Sequence, residues 1–183
     1  MSDQLATLTR PTPPRADDDT VVSFLRMLYV TEVYSAEAFA VMLETYVGLT
    51  ADQRRKFEAC RRLELAMSRR LLDHLTANLG RSVRPPSRAR QAAETLAPLA
   101  HGSWFDRMTE LEGGSIRGVM GFRTLKTLYG DREPNLCGTL LASEMAMRDF
   151  ARDELDGDSD YSLNRILALL GPEDRAAVAA FAV

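Results

Sequence analysis

Two cysteines, two histidines and one tryptophan are spread over 183 residues, and each scarcity removes a class of protein. Cys60 and Cys137 are too few for a disulfide framework or a zinc site, so a reducing cytoplasm is the expected setting. No run of 18 uncharged apolar residues occurs, which leaves no membrane span to expect. The opening stretch, MSDQLATLTRPTPPRADDDT, lacks an apolar centre and a small-residue cleavage site, and does not read as a secretion signal. Its three prolines and acidic run make residues 1–19 a disordered or extended lead-in, followed by one domain over residues 20–183. A phosphate-cradling glycine loop, a Gly-x-Ser-x-Gly elbow and a Cys/His pair at meaningful spacing are all missing. The acidic run at Asp156–Asp160 has neither the glutamate nor the spacing of a calcium loop, and reads as a helix stop.

What the chain does have is helical periodicity nearly throughout. A first helix is expected from about Thr20 to Val47, capped by Asp19 or Thr20 and ended by Gly48. A second starts near Thr50, where Thr50 and Gln53 form a capping-box pattern, and stops before Gly80. Pro85 and Pro86 interrupt the following connection, with a short helix expected from Arg88 to about Ala97, before Pro98. A third long helix runs from about Ser103 to Tyr129 despite Gly113, Gly114, Gly118 and Gly121. A fourth opens near Pro134 and runs to about Leu155, and short helices divided at Pro172 close the chain. The order is hairpin, long crossover, hairpin, which is the connectivity of helical bundles with one long crossover. Trp104, at the start of the third helix, reads as an anchor for that crossover.

Four glutamates repeat within this frame. Glu32 and Glu64 are 32 residues apart, as are Glu112 and Glu144, and the second pair follows the first by 80. The same offset carries Ser35 to Ser115, Met67 to Met147 and Leu75 to Leu155, so the two hairpins read as an internal repeat. Each glutamate sits within an apolar stripe; for the third helix the stripe is Phe105, Met108, Glu112, Ile116 and Val119. Glutamates are seldom buried unless paired, and four together repel one another and lose hydration. Metal cations, arginines or protonation must offset that.

On these residues, from about Thr20 to Leu155, the chain resembles the ferritin-like superfamily, including rubrerythrins and di-iron hydroxylases. That family places single glutamates on two helices and Glu-x-x-His on the other two. Glu32 and Glu112 correspond to the single glutamates, and Glu64 and Glu144 to the glutamates of the motifs. The histidine positions hold Met67 and Met147. His74 lies ten residues past Glu64, about 15 Å along the axis, and cannot stand in for Met67. The other histidine is His101. The resemblance implies a carboxylate-bridged dimetal oxidoreductase of hydroxylase or oxidase type, holding iron or manganese on Glu32, Glu64, Glu112 and Glu144.

The alternative is a metal-free member that has lost redox chemistry and binds a small ligand, or a protein or RNA partner. Arg61 and Arg148, one turn from Glu64 and Glu144, are then the candidate counter-charges. Tyr29 could donate a hydrogen bond to Glu32, Ser35 and Ser115 read as packing residues, and Met67 and Met147 as core filler. An anionic partner is suggested by residues 51–90, which hold eleven basic and four acidic side chains in a chain of net charge −3. Aromatics for base stacking are nearly absent there, so a solvated helix face accounts for the same block. The glycine-rich third helix could serve a homodimer interface.

Overall fold

The computed structural model describes residues 18–87, 89–96 and 102–181, which are all-α, with no strand among them. Most of the lead-in, His101 and the expected helix end at Pro98 lie outside the described residues. Helix α1 spans Asp18–Thr45, α2 Ala51–Asp73, α3 Ala89–Leu96, α4 Trp104–Tyr129, α5 Pro134–Asp156, α6 Asn164–Leu169 and α7 Pro172–Ala180. None of these helices is long and apolar enough to cross a membrane.

Local chemistry sets most of the boundaries. Thr50 caps α2, its hydroxyl accepting from Gln53 N while the Gln53 side chain accepts from Thr50 N. Ser103 and Asp106 do the same for α4. Pro134 and Pro172 occupy first turns, where a missing N–H costs nothing. Gly48, Gly80 and Gly157 take positive φ of 100°, 58° and 87° just past helix ends, a conformation that glycine adopts without a Cβ penalty. Two boundaries differ from expectation. Helix α1 already includes Asp18, so Asp19 and Thr20 lie within its first turn rather than capping it. Helix α2 passes into a π-turn at His74–Asn78 before Gly80.

The short breaks make α1/α2 and α4/α5 tightly packed antiparallel hairpins, and α3 packs on α1. The hairpins meet more sparsely, α1 against α4 and α2 against α5. At one end of the α1/α4 seam the Phe39, Phe57 and Trp104 rings meet in series at tilted angles, with centroids 5.7 and 5.0 Å apart. At the other, Leu28 packs beneath Gly121. Phe39 thus sits near the start of α4 and Leu28 near its end, so α1 and α4 run antiparallel. The core between the hairpins is apolar, built on Leu25, Leu63, Leu71, Leu75, Met108, Leu125, Leu140 and Phe150. Helices α6 and α7 close one side against α2 and α5.

Candidate carboxyl site

Glu32 from α1, Glu64 from α2 and Glu144 from α5 come together midway along the bundle. Glu32 and Glu64 are buried, and their carboxyls hydrogen-bond each other. Burial raises Glu32 to a pKa of about 7, the bond from Glu64 offsetting part of the rise and the Glu144 charge adding to it. Burial, then the Glu32 charge and the shared bond, push Glu64 far above the carboxylate range. Burial and the Glu64 charge raise Glu144 to about 8. At neutral pH the cluster carries protons in place of counter-ions.

Gly118 explains the position of Glu144. A Cβ on Gly118 would lie 2.5 Å from both Glu144 carboxyl oxygens, so any larger residue there has to displace the end of that side chain. Glycine at 118 lets that carboxyl lie directly beneath α4. Gly114, Ser115, Gly118 and Gly121 of α4 face Leu28, Ser35, Ala38, Phe39 and Met42 of α1 across a cleft of about 490 Å³. Glu64 and Glu144 form its floor, and Arg107, Glu110 and Arg117 border it. Arg107 is itself buried, with Nη1 2.6 Å from Glu110 and an Nε that has no partner.

The fourth glutamate does not join the others. Glu112 is half-buried and pairs with Arg152, Oε1 to Nε 3.0 Å. Phe105 and Ile116, expected to share its inward stripe, are 63% and 45% exposed. The buried line of α4 instead runs through Met108, Ser115, Val119, Phe122 and Leu125. Glu112 therefore stands at the margin facing α5, within reach of an arginine and away from the core.

Met67 and Met147 are buried beside Glu64 and Glu144, in a gap with Leu63 and Ser143 too narrow for a water molecule. Neither candidate arginine neutralises the cluster: Arg61 pairs with Glu58 at 3.3 Å and Arg148 with Asp149 at 2.6 Å. Tyr29 is buried in the apolar core. Ser35 and Ser115 both line the cleft. His74 lies at the α2 end, 3.0 Å from the Tyr129 hydroxyl and 3.0 Å from the Asn78 amide, and burial lowers its pKa.

A dimetal centre is not what these donors fit. Glu112 is engaged by Arg152, and thioethers occupy the two imidazole positions. Among the described residues no group of three or more His, Cys, Asp or Glu could hold a metal ion.

One polar centre escaped the sequence reading. Lys56 and Glu154 form a buried ion pair, Nζ to Oε1 2.7 Å, and Asp52 holds the same ammonium at 2.6 Å. Trp104 Nε1 donates to Glu154 Oε2 at 2.9 Å, and Ser159 and Ser162 donate to the same carboxylate. Trp104 thus ties the start of α4 to α5 and, through Phe57, to α2. The signal was there: Lys56 lies one turn before Cys60 on the buried face of α2. Much of the basic block is committed within the chain, Arg62 and Arg69 to Asp174, Arg81 to Asp19, and Arg90 to Glu44 and Glu94. The chain matches no protein-family model, no curated protein and no solved structure.

Proposed function

We propose that the chain is a ferritin-like four-helix bundle with one long crossover that has given up dimetal redox chemistry and binds a small organic cation between α1 and α4. The observation that carries this reading is the cleft of about 490 Å³ with Glu64 and Glu144 on its floor. That volume suits a small molecule, and the walls are largely apolar with a few convergent polar groups. No arginine pairs with these carboxyls: Arg61, Arg148 and Arg152 are engaged elsewhere, and Arg107, at the cleft's border, is held by Glu110. An ammonium at the floor supplies the missing counter-charge, and its apolar body lies along Leu28, Phe39 and Met42. Such a ligand binds with release of the protons that the carboxyls otherwise hold. The free, buried Cys60 and Cys137 accord with a reducing cytoplasmic setting.

The test compares octylamine, octanol and octanoate by calorimetric titration and by their effect on melting temperature. Octylamine is expected to bind saturably and stabilise most, and Glu64→Gln with Glu144→Gln to remove that preference. Equal responses to the amine and the carboxylate, or an amine preference that survives both substitutions, would end the reading.

A further inference from the structure

The outward face of α4 is apolar where a solvated helix is ordinarily polar. In steps of three and four, Phe105, Thr109, Gly113, Ile116, Met120, Arg123 and Thr127 follow one line along the helix, and Arg123 is the one charged residue on it. That line is opposite the buried Phe122, Leu125 and Tyr129. Phe105, Ile116 and Met120 are 63%, 45% and 64% exposed, an arrangement unlike the single scattered apolar residues of ordinary surfaces. Gly113 has nothing but the Arg117 side chain near where a Cβ would stand, so it leaves a shallow dimple beside Met120.

The charges flanking the line are divided along the helix. Asp106, Glu110 and Glu112 lie in its first half, where Glu110 meets the buried Arg107 and Glu112 meets Arg152 of α5, leaving Asp106 as the acid with no arginine against it. The second half carries Arg117, Arg123 and Lys126, all exposed, and no acidic residue. A second α4 laid antiparallel sets each acidic half along the basic half of the other and opposes the two helix dipoles favourably. A parallel arrangement puts like charges together.

We infer that α4 is the interface of a homodimer, two copies packing their α4 helices antiparallel about a twofold axis near Ile116. With the axis at the helix midpoint, Met120 of one copy lies over Gly113 of the other, and the same patch serves both copies, as a twofold interface requires. The line is distinct from the cleft side of α4, where Gly114, Gly118 and Gly121 lie. The dimer therefore stands or falls independently of the ligand. One helix per copy buries less than a standard interface, so the dimer is expected to be of micromolar order.

Sedimentation equilibrium of the full chain is expected to show a reversible dimer that weakens with added salt. Met120→Asp and Ile116→Asp are expected to give a monomer with unchanged helicity and melting temperature, since both side chains already face water. The orientation is read by cross-linking, with the two native cysteines buried. Ile116→Cys close to the axis forms an intermolecular disulfide, while Phe105→Cys, held a helix length from its counterpart, does not. A chain that stays monomeric at its solubility limit, a dimer indifferent to both aspartates, or efficient Phe105→Cys self-linking would each overturn the inference.

Discussion

Gly118 fixes how far the Glu144 carboxyl reaches under α4, and its substitution separates local propensity from packing. Alanine is the better helix former by about 1 kcal/mol. At Gly114, where a Cβ meets only the tip of Arg117 at 4.0 Å, that preference should appear as stabilisation of about 0.5–1 kcal/mol. At Gly118 the sign should reverse, because the new methyl drives into the Glu144 carboxyl. Gly118→Ala is expected to lose about 1–3 kcal/mol in urea unfolding. Pairing it with Glu144→Ala should recover much of the loss, a non-additivity characteristic of side chains in contact. The carboxyls also make stability fall with pH. Glu32 and Glu144 rise from 4.5 to about 7 and about 8, so across that window the native state holds protons that the unfolded chain releases. Stability is then full below about pH 4.5 for these groups and declines as pH rises through 7 and 8. Melting temperature should drop between pH 5 and pH 8, and Glu144→Gln should flatten the decline. A rise over that interval would contradict the protonated cluster.

At the scale of elements, legibility followed how local the determining chemistry is. The capping box at Thr50 and Gln53, the stops at Gly48, Gly80 and Gly157, and Pro134 and Pro172 in first turns each depend on a few neighbouring residues, and could be read directly. The rotation of α4 about its axis could not. Gly113 and Gly114 carry no polarity signal, and Phe105 and Ile116 have the hydrophobicity of core residues while facing outward. That ambiguity assigned Glu112 to the core, whereas in α1, α2 and α5, where apolar residues mark the inner face without interruption, Glu32, Glu64 and Glu144 do face inward. The π-turn at His74–Asn78 and the pairing of Lys56 with Glu154 depend on contacts between distant segments. That pair ties α2 to α5 and, through Trp104, to the start of α4. Glu154→Ala should leave Lys56 buried with the exposed Asp52 and the Ser159 hydroxyl as partners and cost about 3–5 kcal/mol. The Phe57–Trp104 ring contact should loosen with it, visible as a red shift of the emission of the single tryptophan.

Over the whole molecule, the proposed metal-free reading rests on three features set against a dimetal centre at the converging glutamates. Two are the thioethers of Met67 and Met147, poor donors to iron or manganese compared with imidazole. The third is Arg152, which holds Glu112 at the α5 margin. Restoring imidazoles alone addresses only the first two. Met67→His with Met147→His is therefore expected to bind Co(II) weakly, since the fourth carboxylate remains engaged and Gly118 still admits Glu144 in its protonated form. Adding Arg152→Ala frees Glu112 to turn inward, and the triple variant should bind Co(II) more tightly than the double, with the intense visible bands of a low-coordinate site. The unmodified chain should show no such bands and, after anaerobic Fe(II) addition and exposure to air, no chromophore. If instead the unmodified chain takes up Fe(II) in stoichiometric amount and loses it on Glu64→Ala, the carboxyls are ligands after all, and the cleft above them leads to a metal. Equal Co(II) affinity in the double and triple variants would show that Arg152 is no barrier and that the methionines alone closed the site.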